Sequence, residues 1–185
     1  MIKTRNMTLL AIFTALSAIG AFIRIPLPFV AITVQTIFVF MSGILIGKKL
    51  GALSQLIYVT LGLIGIPIFT EGGGPGYILK PSFGYLLGFI AAAYVIGLII
   101  ENKEINYLNI FIASLSGLFV TYLIGVPYLH IILNNVVNVD MSLWNSLTAG
   151  MIVFLPGDII KILIITIITP QIYRALKDTV LSEIK

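Results

Sequence analysis

The chain is poor in the residues that build soluble enzymes and metal sites. Cysteine is absent, histidine and tryptophan each occur once, and only 10% of the 185 residues are charged. Without cysteine there is neither a disulfide framework nor a thiolate metal site, and a single histidine makes no metal-ligand set. Because about 25% of the residues in an ordinary soluble domain are charged, the scarcity of charge argues against a soluble globular protein.

Apolar residues fill the chain instead. They make up 59% of the sequence, and the mean hydropathy is +1.12. Since a membrane-spanning helix needs about 20 apolar residues, the chain is long enough for roughly six or seven spans and leaves little for a separate soluble domain. We therefore interpret residues 1–185 as one integral membrane domain of the all-α class, without a nucleotide-hydrolysing domain.

Prolines, glycines and charges divide the apolar sequence into six predicted spans. These are 7–23, 29–47, 52–66, 83–100, 108–129 and 156–173. The second and third are separated only by a short turn at Lys48 and Lys49, which predicts antiparallel neighbours. The glycine-rich stretch 68–82 is predicted to be non-helical, and Ser142 is predicted to cap a short helix that ends at Val153.

The basic residues predict the orientation. Eight of them fall on one side of the six-span layout: Lys3, Arg5, Lys48, Lys49, Lys103, Arg174, Lys177 and Lys185. Only Arg24 and Lys80 fall on the other side, so the positive-inside rule puts both termini in the cytoplasm. The net charge of +4 then reflects topology in the cell membrane and not nucleic-acid binding. Asp158 is expected in the outer third of the membrane.

Asp158 and Lys161 stand out within the last apolar segment, in the octet FLPGDIIK at 154–161. Their spacing of three places both on one helix face. A charge at the centre of a spanning helix costs about 2.5–3.5 kcal/mol, so such residues usually face the protein interior or each other. They could form a structural ion pair. They could also grip a ligand, the carboxylate accepting the N–H groups of a cyclic urea or amide and the ammonium binding an oxygen.

Other polar residues near the predicted outer side are weaker candidates. The glycines at 72–76, among them Gly73 and Gly74, lack the Gly-Lys-Ser/Thr ending of a phosphate loop but could form a lid or simply a flexible loop. Gln35, with Thr33 and Thr36, could face a ligand or bond to a neighbouring helix. Tyr77 and Tyr85 could bind a ligand or belong to the interfacial belt of aromatic residues. His130 is expected at the interface without a catalytic role.

The first span carries a stripe of small residues. Thr8, Ala11, Ala15 and Ala18 recur on one helical face, where small side chains allow another helix to approach closely. The stripe could serve internal packing or docking onto another membrane protein. No Ser/His/Asp constellation is present, so we do not expect an enzyme. A solitary facilitator or a proton-coupled carrier that uses Asp158, and a membrane enzyme, remain as alternatives.

Four segments together resemble BioY, the biotin-binding S component of energy-coupling factor (ECF) transporters. They are PLPFVAITVQT at 26–36, the stretch 47–55 with LGLIGIP at 61–67, PSFGYLLGF at 81–89 after the glycine loop, and FLPGDIIK at 154–161. In order and spacing they extend over essentially the whole chain. One departure is KPSFGY at 80–85, where the family usually has GPTGGY, so that Phe83 replaces a small residue.

The resemblance implies an ECF S-component-like bundle of six helices that binds biotin with high affinity from the outer face, under the first and third loops. The expected substrate-binding residues are Asp158, Lys161, Gln35, Tyr85, Gly73, Gly74, Tyr77 and Lys80. Lys161, Arg24 and Lys80 compete for the biotin carboxylate. The expected partners are a transmembrane coupling subunit, which docks on Ala11 and Ala15, and two ABC ATPases. No cofactor is expected, because biotin is the transported ligand.

Overall fold

Long apolar helices dominate residues 4–177, the part of the chain that the computed structural model describes. The helices are α1 (Thr4–Phe22), α2 (Gln35–Leu63), α3 (Phe83–Ile100), α4 (Tyr107–Asn135), α5 (Leu143–Leu147) and α6 (Leu155–Leu176). A π-helical turn, Thr148–Ile152, joins α5 to α6. Five stretches are long and apolar enough to cross a membrane: α1, α2, α3, α4 and the continuous run Leu143–Leu176. The all-helical membrane class is therefore confirmed.

The helical range of α2 is interrupted at Gly47. This residue has φ 79° and ψ 172°, which no α-helix contains. A Cβ atom built on Gly51 would lie only 2.9 Å from the Cα of Gly43, whereas residues eight apart in an unbroken helix are separated by about 12 Å along the axis. The two parts of α2 therefore fold back on each other at Gly47. The turn predicted at Lys48 and Lys49 is thus a break of the helix at a single residue, Gly47.

The third helix lies at the centre of the bundle. It packs against α2 on one side and α4 on the other, α1 packs against α2, and α6 packs against both α4 and α2. The side chains of Phe40, Ile96, Ile110 and Leu129 are completely buried in the resulting core. Small residues allow the close approach: a Cβ atom on Gly97 would lie 2.2 Å from the backbone nitrogen of Lys48.

The first helix is joined to the second part of α2 by buried polar contacts. The Ser17 hydroxyl donates to Gln55 Oε1 at 3.0 Å, and the Thr14 hydroxyl donates to the carbonyl of Ser54 at 3.0 Å. All four residues are buried. Such interhelical hydrogen bonds stabilise helix pairs where no water is available to the polar groups.

Several predicted boundaries differ from the structure. The second span is predicted to begin at residue 29, but α2 begins at Gln35, after two short paired strands. The stretch 68–82 was predicted to be non-helical, but it contains a 3₁₀ helix, Pro75–Leu79, which begins with a proline suited to a first turn. The helix α4 continues to Asn135, beyond the predicted end of its span at residue 129, because residues 130–135 contain neither proline nor glycine to end it. Ser142 caps α5 as predicted by accepting from the amide of Asn145; α5 ends at Leu147, and the π-helical turn carries the chain on to α6.

Between α1 and α2 the chain forms a small hairpin. Its strands β1 (Arg24–Ile25) and β2 (Ile32–Thr33) pair antiparallel, with Arg24 opposite Thr33. We call residues 24–33 the hairpin. Its prolines, Pro26 and Pro28, prevent helix formation at this point. The hairpin lies at the same end of the bundle as Asp158, because residues 30–33 and Asp158 line one cavity.

Candidate functional site

A small cavity lies where the hairpin, α2, α3, α4 and α6 meet. Its volume is about 50 Å³. The lining residues are Val30, Ala31, Ile32, Thr33, Thr36, Tyr85, Phe89, Leu118, Thr121, Tyr122, Phe154, Asp158 and Lys161. We call it the Asp158 cavity. It combines apolar and aromatic walls with a few polar groups, the usual composition of a small-molecule site.

Asp158 is held through both of its carboxylate oxygens. Lys161 Nζ lies 2.8 Å from Oδ1, and the hydroxyl of Tyr122 donates to Oδ2. The side chains of Asp158 and Lys161 are only 10% and 12% exposed. Asp158 also lies in the first turn of α6, where the helix dipole favours a negative charge. The predicted juxtaposition of Asp158 and Lys161 on one helix face is therefore present.

Tyr85 joins the third helix to the π-helical turn. Its hydroxyl donates to the carbonyl of Gly150 at 2.7 Å. Its ring meets that of Tyr122 edge-on, with centroids 6.5 Å apart and an interplanar angle of 89°. A Cβ atom on Gly150 would lie 2.6 Å from the Tyr85 oxygen, so a larger residue at position 150 would displace the Tyr85 hydroxyl. Tyr85 is 7% exposed and lies in the cavity wall, which distinguishes it from a tyrosine of the interfacial belt.

The hairpin forms part of the wall of the Asp158 cavity. Residues 30–33 line it, and Arg24, at the start of the hairpin, donates to the carbonyl of Thr70 in the following loop. Arg24, one of the cations expected to bind the ligand carboxylate, thus donates to a backbone oxygen outside the cavity lining. The hairpin, and not the glycine-rich stretch 68–82, shares the cavity lining with Asp158.

The glycine loop packs against the end of α2. The amide of Gly74 donates to the carbonyl of Gly62 at 2.7 Å, and a Cβ atom on Gly73 would lie 2.3 Å from the oxygen of Ile66. Tyr77 is buried against Phe69, with ring centroids 4.5 Å apart. Gly73, Gly74 and Tyr77 do not line the Asp158 cavity. Their part in binding remains a prediction.

Lys80 forms an ion pair within the same loop. Its Nζ lies 3.0 Å from Glu71 Oε2, and both side chains are about half exposed. The hydrogen bond to Glu71 raises the pKa of Lys80 above its ordinary value. Lys80 does not line the Asp158 cavity either, so its contact with a ligand also remains a prediction.

Gln35 and Phe83 lie close to the cavity without lining it. Gln35 is the first residue of α2 and is 2% exposed, and its neighbour Thr36 is in the cavity wall. Phe83, which departs from the usual pattern of the family, is buried and packs against the ring of Tyr128 with centroids 5.9 Å apart. The larger side chain is therefore accommodated beside α4 and not in the Asp158 cavity.

A model of the BioY family matches residues 1–178 of this chain. The chain belongs to the BioY family. It is 40% identical over 176 residues to a protein of Lysinibacillus sphaericus described as a probable biotin transporter BioY, with 95% of this chain and 90% of the relative aligned. It is 36% identical over 171 residues to the biotin transporter BioY of Thermotoga maritima, with 92% and 96% aligned.

One solved structure extends this similarity to three dimensions. It is the crystal structure at 2.1 Å of the S-component for biotin from an ECF-type ABC transporter. The TM-score is 0.71 at 29% sequence identity, and the match covers 93% of this chain and 92% of the other. Membership of the BioY family, whose named relatives are transporters, confirms both the predicted resemblance and the prediction that the chain is not an enzyme. With its apolar helices, it is a multi-pass membrane protein.

The small-residue stripe of this BioY-family chain lies on an apolar groove. Ala11 and Ala15 are exposed and line a groove of about 740 Å³ between α1 and the second part of α2. The other lining residues are Met7, Leu10, Thr14, Ala18, Ile19, Leu53, Ile57, Leu61, Ile66 and Ile68. We call it the α1 groove. Docking of another membrane protein on Ala11 and Ala15 stays a prediction.

Tyr122 is a polar residue of the cavity wall that the sequence reasoning missed, as is its neighbour Thr121. It lies inside the apolar run of α4, well away from either end of the helix. A tyrosine at such a place needs a partner for its hydroxyl, and this was the available signal. His130, by contrast, makes a local contact of Nδ1 with Ser146 Oγ at 2.8 Å. Among residues 4–177 no group of three metal-ligating side chains is found.

Proposed function

We propose that this BioY-family chain is the high-affinity biotin-binding S component of an ECF-type ABC transporter and captures biotin at the outer face of the cell membrane for uptake. The observation that carries the proposal is the buried pair of Asp158 and Lys161 in the wall of a cavity inside the bundle. Similarity to biotin transporters, and to the S-component for biotin, supports the choice of ligand.

The chemistry of the pair suits biotin. The ureido ring offers two N–H donors and one carbonyl acceptor, and the valerate tail ends in a carboxylate. Asp158 accepts from the ureido N–H groups, since a carboxylate has more acceptor sites than its two present partners use. Lys161 binds the ureido carbonyl or the carboxylate. Lys161 lines the Asp158 cavity, whereas Arg24 and Lys80 do not and pair with Thr70 and Glu71 outside it, which favours Lys161 as the cation that meets biotin.

Biotin enters by displacement of the hairpin. The Asp158 cavity holds about 50 Å³, whereas small-molecule sites typically measure about 300–1,000 Å³. Movement of residues 30–33 away from Asp158 enlarges the cavity, because these residues form its wall on that side. The Arg24 contact with Thr70 breaks during this movement. The glycine loop stays packed on α2, and the hairpin moves relative to it.

The chain crosses the membrane six times, with both termini in the cytoplasm. The fold-back at Gly47 supports counting the two parts of α2 as separate spans, because Gly51 approaches Gly43 across the break. Together with α1, α3, α4 and the run Leu143–Leu176, this makes six. The excess of basic residues on one side supports the orientation. The absence of cysteine allows a direct test by labelling single cysteines placed at Lys49 and at Gly72.

Transport requires partners that hydrolyse ATP. The proposed assembly contains a transmembrane coupling subunit and two ABC ATPases, and the coupling subunit docks in the α1 groove on Ala11 and Ala15. The groove supports this because its small residues permit close helix packing. Biotin is the transported ligand, and no cofactor is part of the proposal.

Titration of the purified protein with labelled biotin tests the proposed function. Wild-type protein should bind at micromolar concentration or below, and Asp158→Asn should lose most of this affinity. Glu104→Gln, which changes an exposed acid at the opposite end of the bundle, is the matched control. Binding no tighter than millimolar by wild-type protein would sink the assignment. Normal binding by Asp158→Asn combined with lost uptake would favour a proton-coupled carrier instead.

A further inference from the structure

The geometry points to Tyr122 as the residue that positions Asp158 for the ligand. This inference rests on the proposed function and adds to it a specificity-determining role that no sequence motif indicated. The Tyr122 hydroxyl donates to Asp158 Oδ2 from α4, across the boundary between two helices. It is the contact among those described here that ties the Asp158 side chain to a helix other than its own.

Lys161 cannot fix the position of Asp158 relative to the rest of the cavity. It lies three residues further along the same helix, so any rotation or sliding of α6 carries both residues together. Tyr122 belongs to α4, and its hydroxyl holds the carboxylate at one place relative to that helix. The cavity wall on that side also contains Leu118 and Thr121 of α4, so Tyr122 keeps Asp158 in register with this wall.

Tyr122 is itself held in place. It is 7% exposed, and its ring packs edge-on against Tyr85. Tyr85 is in turn fixed by its hydrogen bond to the carbonyl of Gly150 in the π-helical turn that precedes α6. A chain of contacts thus runs from the π-helical turn through Tyr85 and Tyr122 to Asp158. The carboxylate is oriented before a ligand arrives.

This arrangement selects for ligands that present N–H groups. Tyr122 and Lys161 both donate to Asp158, one to each oxygen. The carboxylate therefore stays an acceptor, and each oxygen keeps a lone pair for a further donor, since a carboxylate has roughly four such sites. A ring with two N–H groups, such as a cyclic urea, complements these sites, whereas a ligand carboxylate is repelled from them.

Removal of the Tyr122 hydroxyl alone tests the role. Tyr122→Phe keeps the ring and its packing against Tyr85 but leaves Asp158 Oδ2 without its partner from α4. Because a hydrogen bond to a charged group is stronger than one between neutral groups, we expect its loss to lower biotin affinity roughly tenfold or more. Tyr107→Phe removes the same hydroxyl from an exposed tyrosine of the same helix and should bind biotin as wild-type protein does.

An infrared readout separates positioning from packing. The difference spectrum between wild-type protein and Asp158→Asn identifies the carboxylate band of Asp158, and Tyr122→Phe should shift that band. A purely structural role of the tyrosine leaves the band unchanged. A shifted band together with the affinity loss supports the inference. An unshifted band, or a Tyr122→Phe titration that matches wild-type protein, overturns it.

The two proposals fail in different ways. If the chain does not bind biotin, wild-type protein and every variant give a flat titration, and the proposed function is lost together with this inference. If only the inference is wrong, wild-type protein gives a normal binding curve and Tyr122→Phe either reproduces it or weakens it without any change at Asp158.

Discussion

The Asp158 cavity and the α1 groove are both concave surfaces of an apolar chain, but they differ in size and polarity. The cavity is small, about 50 Å³, and its wall contains a buried ion pair and two buried tyrosines. The groove is more than ten times larger, about 740 Å³, and Thr14 is the one polar residue in its lining. The first can recognise hydrogen-bonding groups, whereas the second recognises only shape.

The difference teaches where specificity for a small ligand can lie in a membrane protein. Buried charges are costly in the bilayer. The Asp158 carboxylate, which is stabilised by Lys161, Tyr122 and the start of a helix, therefore indicates a site that must present charge. Small exposed residues on one face cost nothing in lipid and serve close packing. Substitutions in the two regions should therefore separate ligand binding from partner binding.

The largest expected effect is that of Asp158→Asn on the cavity. The amide retains the size of the side chain but introduces an N–H₂ group where the ligand also donates, and the ion pair with Lys161 is lost. Because a hydrogen bond to a charged group is worth about 1.5–3 kcal/mol and the ureido ring donates two of them to the carboxylate, biotin affinity should fall by a factor of a hundred or more. Isothermal titration checks this, with co-purification of the coupling subunit expected to be unchanged.

Lys161→Gln should have the next largest effect and should show which end of biotin the lysine binds. We expect a loss of roughly ten- to hundredfold, the value of a hydrogen bond to a charged group. The comparison of biotin with its amide derivative decides the end. If Lys161 binds the valerate carboxylate, the variant should discriminate less between the two ligands; unchanged discrimination points to the ureido carbonyl.

Ala15→Leu should affect the groove and leave the cavity intact. The larger side chain fills the surface on which a neighbouring helix would pack, so co-purification with the coupling subunit should drop severalfold while biotin titrations match wild-type protein. Ile12→Leu, on the same helix but outside the groove lining, is the control. Undiminished co-purification of Ala15→Leu would argue against docking in this groove.

Arg24→Gln should have the smallest of these effects, on kinetics. The variant loses the charge-assisted hydrogen bond between the hairpin and the carbonyl of Thr70, so the hairpin should open more often. We expect biotin dissociation to accelerate a fewfold in stopped-flow measurements. Lys103→Gln, a change at the opposite end of the bundle, should leave the rate unchanged. A rate equal to that of wild-type protein would contradict a covering role for the hairpin.

Local patterns predicted the helices well and their ends less well. Apolar runs bounded by prolines and charges indicated the helices because an apolar segment of about 20 residues has few alternatives to a helix in lipid. The helix α4 extends beyond its predicted end at residue 129 because residues 130–135 contain neither proline nor glycine to end it. The 3₁₀ helix at Pro75–Leu79 was not predicted, because the many glycines of this stretch indicate a loop and a single helical turn that begins at proline leaves little signal.

The candidate site was predicted in part. Asp158 and Lys161 were found because their charge is anomalous in an apolar segment, and their spacing along one helix predicted their contact. Tyr85 was left open between a ligand role and the interface, and only its neighbours in space put it in the cavity wall. Gly73, Gly74, Tyr77 and Lys80 were expected in the site from the family resemblance and from their predicted position on the outer side. They lie in a loop packed on α2, and their part in binding stays a prediction.

The sequence by itself determined that this is a helical membrane protein of the BioY family with one buried acid–base pair and a face of small residues. These follow from composition, short-range spacing and recurring segments. The tertiary structure decided that Tyr122 completes the partners of Asp158 and that residues 30–33 of the hairpin line the same cavity. Each depends on which helices become neighbours, and interhelical contacts between residues such as 122 and 158 leave no periodic trace along the chain.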